Sequence, residues 1–177
     1  MPDRRAVELV QFTGLQPVPM LARFSLRGDL AELANVLTGV DVPVSRAACR
    51  AVEGNLCATL WLGPDEQLLL APETNASRLL DVLQRGLANT PHSLVDVSHR
   101  QTAFEVTGPN ARLLLNAGCP LDLRDAAFPI GMCTRTLFEK SEIILWRTAT
   151  DSFHVEVWRS FAPYVSALLA EVARERA

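Results

Sequence analysis

Few side chains in this sequence stand where they could do chemistry together, and the first group to weigh is Asp96, Ser98 and His99. An aspartate, a serine and a histidine this close suggest a hydrolytic constellation. The run reads as a strand, however, and a strand sends positions 96 and 98 to one face and 99 to the other, so the hydroxyl and the imidazole should not meet. The Gly-x-Ser-x-Gly elbow that would expose such a serine is absent around Ser98. All three are therefore expected to be strand polar residues beside a turn.

The remaining candidates give similar answers. His92, His99 and His154 are scattered, and none has a carboxylate or a second histidine at metal-ligand spacing on a helix, so each is expected as a surface or strand histidine. Asp122 and Asp125 could pair for acid–base work or hold magnesium. Without a companion glycine or further acidic positions, loop solvation or a helix cap is the better expectation. Cys49, Cys57, Cys119 and Cys133 show no CxxC pairing and are expected to be reduced and mostly buried. Lys140 is the only lysine and hence the only candidate for a Schiff base. No glycine-rich dinucleotide or triphosphate fingerprint occurs.

One segment is different in kind. Trp158-Arg159-Ser160-Phe161-Ala162 joins the last strand to the last helix, with Ser160 as a candidate N-cap. Tryptophan and arginine are enriched where binding energy concentrates, so an interface role is favoured for Arg159, whereas capping and core packing are favoured for Phe161. Arg100, Trp158, Arg159 and Phe161 make up the candidate interface set; no catalytic, cofactor-binding or metal-ligating residue is assigned.

The elements that must position these residues follow from periodicity. A strand over residues 20–27 ends at Gly28, and Asp29 caps a helix carrying Leu30, Leu33, Ala34 and Leu37 that stops at Gly39. Residues 40–55 give no clear pattern. Cys57–Leu62 and Gln67–Ala71, joined by Gly63-Pro64-Asp65, read as a hairpin. A helix with Leu79, Leu80, Leu83 and Leu87 and a strand over 93–98 follow. The second half begins with a strand over 101–107, a break at Gly108-Pro109 and a helix from Asn110 to Asn116. After a loop from Pro120 to Gly131 come strands at Cys133–Glu139, Glu142–Arg147 and Phe153–Trp158, then a helix from about Phe161 to the end.

The two halves share more than element order. Leu60-Trp61 and Leu145-Trp146 each precede a short turn, an aspartate, a strand and a helix. The expectation is an α+β fold with antiparallel sheets and packed helices, built as two similar β-α-β-β-α halves, about 18–98 and 99–177, within a single domain over 1–177.

Composition sets the outer bounds. At 177 residues, 49% hydrophobic and 21% charged, the chain can build a core and is not disordered. A net charge of −3, with charges scattered, argues against a nucleic-acid partner. The start, Met1-Pro2-Asp3-Arg4-Arg5, leads into no apolar stretch of signal-peptide type, and no apolar run approaches the roughly 20 residues of a membrane span. A soluble, cytoplasmic protein without a membrane partner is expected.

Against this background several segments are similar to one family. Leu94–Leu115, Gly118-Cys119-Pro120-Leu121-Asp122-Leu123, residues 128–136 (Phe-Pro-Ile-Gly-Met-Cys-Thr-Arg-Thr) and Trp158–Ala162 closely resemble the gamma subunit of heterotetrameric sarcosine oxidase. The hairpin Leu60–Glu66 looks like the first half of the same family. More distantly, the element order is similar to the folate-binding domain of the aminomethyltransferases.

The resemblance implies a non-catalytic subunit of a flavoenzyme complex with alpha, beta and delta partners, which oxidatively demethylates sarcosine to glycine and forms hydrogen peroxide and methylene-tetrahydrofolate. It further implies that FAD, FMN, NAD and tetrahydrofolate are held by the partner subunits. Where the aminomethyltransferases carry a glycine-rich, acidic hairpin turn, this chain has Glu139-Lys140-Ser141-Glu142, which speaks against folate activity in this chain alone. The alternatives are the equivalent subunit of an N-methylglutamate-type dehydrogenase, a stand-alone folate-binding one-carbon protein, or an unrelated interaction domain.

Overall fold

The structure, a computed structural model, describes residues 14–40 and 42–175. The expectations about the first five residues, and the last two positions of the C-terminal helix, lie outside the described residues. The chain divides into two compact units. An N-terminal unit comprises Pro19–Ser98 with Gly131–Thr134, and a C-terminal unit comprises the described residues up to Val18 with 99–130 and 135–175.

In the N-terminal unit, β2 (Leu21–Arg27) leads through Asp29 into α1 (Leu30–Thr38). The Asp29 carboxylate accepts the backbone N–H groups of Ala31 and Glu32 at 2.9 and 3.0 Å, satisfying two donors that the first helical turn leaves open. After β3 (Ala51–Glu53) come the hairpin β4 (Ala58–Gly63) and β5 (Glu66–Pro72), then α2 (Ala76–Gly86) and β6 (Ser93–Asp96). The sheet order is β3-β4-β5-β2-β6, and neighbours pair antiparallel. Phe24, Leu26 and Leu69 from the sheet close on Leu33 and Leu37 of α1 and Leu79 and Leu83 of α2 to form the core.

In the C-terminal unit, β7 (Gln101–Thr107) leads into α3 (Ala111–Asn116), β8 (Cys133–Phe138), β9 (Ser141–Ala149), β10 (Ser152–Trp158) and α4 (Ala162–Glu175), with β1 (Leu15–Pro17) at the sheet edge. The order is β1-β7-β10-β9-β8. Gly108 ends β7 with φ +101, a conformation that favours glycine, and its N–H donates to the Asp151 carbonyl.

Both sheets thus follow one plan. β2-α1-β3-β4-β5-α2 matches β7-α3-β8-β9-β10-α4, and the strands take corresponding places side by side. The strand beside β2 is β6, which follows its helix; the strand beside β7 is β1, which precedes its half. The first half, like the second, has three strands between its helices rather than the two of a β-α-β-β-α unit, because residues 40–55 hold β3. That strand has three residues and two exposed side chains, so it carries no buried alternation to read. β9 runs from Ser141 to Ala149, longer at both ends than Glu142–Arg147. α4 starts at Ala162, and the carbonyl that opens its ladder is that of Phe161, which accepts the Val165 N–H; Phe161, not Ser160, stands at the cap position.

Candidate functional site

The C-terminal sheet holds a charged cluster that the sequence reading did not anticipate. β10 places His154 directly opposite Glu105 on β7 and Trp146 on β9. Glu156 follows two positions along β10, on the same face. The imidazole Nδ1 donates to Glu105 Oε1 at 3.0 Å and Nε2 to Glu156 Oε1 at 2.9 Å. Ser152 Oγ donates to the other Glu105 oxygen and in turn accepts from Thr148 Oγ1, both at 3.0 Å. The Trp146 ring lies beside the imidazole, centroids 5.8 Å apart.

His154 is 4% exposed and Glu156 is fully buried. Burial by itself would lower the His154 pKa, but the hydrogen bonds to Glu105 and Glu156, with their charges, outweigh it and raise it to about 9. His154 is therefore an imidazolium at neutral pH, with both ring nitrogens donating. It has no lone pair to offer a metal or a substrate proton. The expectation of a strand histidine is right, but this one is not at the surface. The pattern that could have revealed it is His-x-Glu in an alternating strand whose opposite face is entirely apolar.

The two loop aspartates are also occupied. Asp122 Oδ1 accepts the Arg124 backbone N–H at 3.0 Å, and bonds from the Arg124 side chain hold its carboxyl down at about 2. Asp125 meets Arg147 at 2.6 Å and Arg112 at 3.2 Å, and its pKa is lowered chiefly by the Arg147 bond. Arg147 is 1% exposed and also donates to the carbonyls of Ala149, Phe128 and Thr150. These bonds use four of its five N–H groups, with Phe153 beneath the guanidinium at 5.5 Å. Arg147 and Asp125 are latches for the Pro120–Gly131 loop rather than an acid–base pair.

Asp96 and Ser98 extend a sheet. Ser98 Oγ donates to Asp96 at 2.6 Å, the Arg23 N–H donates to Ser98 Oγ at 2.9 Å, and His99 is exposed beyond the strand end. Lys140 is exposed in the two-residue β8–β9 turn, where Glu139 takes φ +51. Among the described residues, no group of three or more histidine, cysteine or acidic side chains is arranged to hold a metal, and no helix is long and apolar enough to cross a membrane.

The interface candidates, by contrast, come together. Trp158 is the last residue of β10, and the Arg100 guanidinium sits 5.4 Å from the centre of its ring. The Arg159 N–H donates to the Arg100 carbonyl at 3.1 Å, and the Phe161 N–H to the Trp158 carbonyl at 2.8 Å. The chain therefore turns tightly from strand to helix and sets Trp158 and Phe161 on its outside, 41% and 45% exposed. Core packing of Phe161 does not occur, because the turn points it away from the helix face that Ala162, Val165 and Leu169 bury. Tyr164, one helical turn on and 42% exposed, adds a third ring; the i, i+3 spacing of Phe161 and Tyr164 carried that signal.

Comparison with known proteins places these features in context. Residues 27–175 match the sequence model of the sarcosine oxidase, gamma subunit family. The chain is 36% identical over 140 residues to the sarcosine oxidase subunit gamma of Corynebacterium sp. (strain U-96), covering 78% of this chain and 66% of that protein. It is 35% identical over 151 residues to that of an Arthrobacter species, covering 85% and 70%. Among solved structures, a chain of the heterotetrameric sarcosine oxidase from Corynebacterium sp. U-96, in complex with pyrrole 2-carboxylate, superposes with a TM-score of 0.79 at 30% identity, covering 94% of this chain and 88% of that one. The glycine cleavage system aminomethyltransferase T from Bartonella henselae shares the fold at a TM-score of 0.67 and 14% identity, covering 88% and 45%.

Proposed function

The chain belongs to the sarcosine oxidase gamma subunit family, and from that premise we propose that it is the small, non-catalytic companion subunit of a heterotetrameric sarcosine oxidase. The complex demethylates sarcosine oxidatively to glycine, with formation of hydrogen peroxide and, with tetrahydrofolate, of methylene-tetrahydrofolate. FAD, FMN, NAD and the folate belong to the larger alpha and beta partners, and the complex, with its delta subunit, works in the cytoplasm. The observation that carries this reading is the likeness of nearly the whole chain to a chain of a heterotetrameric enzyme. It is supported by the chemistry of the described residues, among which His154, Asp122 and Asp125 are each engaged by internal partners.

The surface built from Arg100, Trp158, Arg159 and Phe161 is the face we assign to a partner subunit. Exposed aromatic rings flanked by guanidinium groups are the residue types that dominate binding energy at interfaces. The domain is taken as one gamma-type unit over 1–177 whose halves arose by duplication; the shared strand order supports this.

Co-expression with the larger subunits should give a stoichiometric complex, while the chain alone should bind neither flavin nor, by calorimetric titration, a reduced folate. Active oxidase of unchanged stability purified without this chain would refute the proposal. Saturable folate binding at micromolar concentration would favour a one-carbon protein instead.

A further inference from the structure

Two cysteines lie close together within the N-terminal unit, and nothing in the companion-subunit reading uses them. Arg50 and Met132 form an antiparallel bridge. On one side of it the Ala51 N–H donates to the Gly131 carbonyl at 2.8 Å, and on the other the Cys133 N–H donates to the Cys49 carbonyl at 3.0 Å. One step out from that bridge, the main-chain bond from Cys133 to Cys49 holds the two cysteine backbones side by side. A disulfide spans roughly 4.4–6.8 Å between Cα atoms, a separation compatible with two residues joined by a direct main-chain hydrogen bond.

The two thiols differ in a useful way. Cys49 is half-buried, whereas Cys133 is fully buried and its Sγ donates to the Trp61 carbonyl at 3.5 Å. Burial, with the nearby Cys49 adding to it, pushes the Cys133 thiol up to about 12. Cys49 also sits at φ +56, a left-handed conformation that a side-chain-bearing residue holds only where its surroundings enforce it. The other two cysteines have hydroxyl neighbours: Cys57 has Thr59 at 4.0 Å, and Cys119 has Thr136 at 3.9 Å.

We propose that Cys49 and Cys133 are a modification site: a dithiol that a hydroperoxide oxidises to an intrachain disulfide. In the first step the accessible Cys49 thiolate attacks one peroxide oxygen. The S–O bond forms, the O–O bond breaks, and the departing hydroxide takes a proton to become water, leaving a sulfenic acid. In the second step the Cys133 thiolate attacks the Cys49 sulfur; the S–S bond forms, the S–O bond breaks and a second water leaves. Two thiols give up two electrons and two protons, and the peroxide accepts both.

The high Cys133 pKa makes the second step accelerate as pH rises toward 12 and keeps Cys133 from being oxidised first. The bond would tie the turn before β3 to the first residue of β8, closing a loop of nearly half the chain, and a thiol would reopen it. The inference rests on the companion-subunit reading only for the origin of the peroxide, which that complex would release beside this chain.

The test uses the full chain, reduced, desalted and treated with added hydrogen peroxide, then alkylated and digested without reductant for mass spectrometry. The expected result is a cross-link between the Cys49 and Cys133 peptides with Cys57 and Cys119 still alkylated. The thermal midpoint should rise, and dithiothreitol should reverse the change. The Cys49→Ser variant should lose both the cross-link and the shift. Four alkylated thiols, sulfonated Cys49 beside alkylated Cys133, or a cross-link to Cys57 or Cys119 would each overturn the proposal. Because the peroxide is supplied, a negative result leaves subunit assembly untouched, and a failure to assemble leaves this outcome unchanged.

Discussion

His154 keeps its charge in the interior because two carboxylates, Glu105 and Glu156, take both of its N–H groups. Removing the cation would leave the buried Glu156 and the half-buried Glu105 without their shared partner, and breaking a buried ion pair from one side costs about 3–5 kcal/mol. His154→Gln should therefore destabilise the protein by an amount of that order at neutral pH. The folded-state pKa lies near 9, above the ordinary 6.5, so the folded state binds the proton more tightly than the unfolded chain does. The stabilisation is complete below about pH 6.5, falls through the interval and is lost above about 9. Denaturant titrations of both proteins at pH 6.5 and pH 10 should show the gap shrink at the higher pH; a constant gap would mean that the imidazolium is not its source. The sequence displayed His154, Glu156 and Glu105 on alternating strands, yet only the pairing of β7 with β10 brings the third of them within reach.

At the scale of elements, local signals were the more informative. The Asp29 cap, the Gly63-Pro64-Asp65 hairpin and the leucine stripe of α2 were legible because each depends on residues a few positions apart. What escaped carried no such signal: β3 is a three-residue strand with two exposed side chains, evident only in its pairing with β4, and Phe161 rather than Ser160 heads α4 in a turn held by the bonds of Arg159 to Arg100 and of Phe161 to Trp158. Gly118 gives a test at this scale. A Cβ there would stand 3.0 Å from the ring of Phe138, which is fully buried and cannot swing aside. Gly118→Ala should cost about 1–3 kcal/mol as an overpacking change. The smaller Phe138→Leu should restore part of the loss in the double variant, as read from thermal or urea unfolding.

For the whole molecule, the question is which surface joins the larger assembly. Trp158 and Phe161, with Arg100 against the indole, form the aromatic surface that the β10–α4 turn holds out to solvent. If it meets a partner subunit, Trp158→Ala should weaken assembly by about 2 kcal/mol or more, roughly thirtyfold. The folded stability of the isolated chain should hardly change, because the ring is not part of its core. Co-purification yields and the unfolding midpoint of the free chain read the two effects separately, and undiminished assembly would place the partner elsewhere.

The sequence by itself determined the α+β class, the two similar halves and the family, because those are written in periodicity, turn residues and short contiguous segments. It also brought Trp158 and Arg159 to notice through residue type. Only the tertiary structure decided that His154 is a buried imidazolium, that Phe161 is exposed and that Cys133 lies beside Cys49. The first and last of these depend on segments far apart in the chain being brought side by side, and the second on the turn that ties Arg159 to Arg100, relations that composition and spacing do not encode.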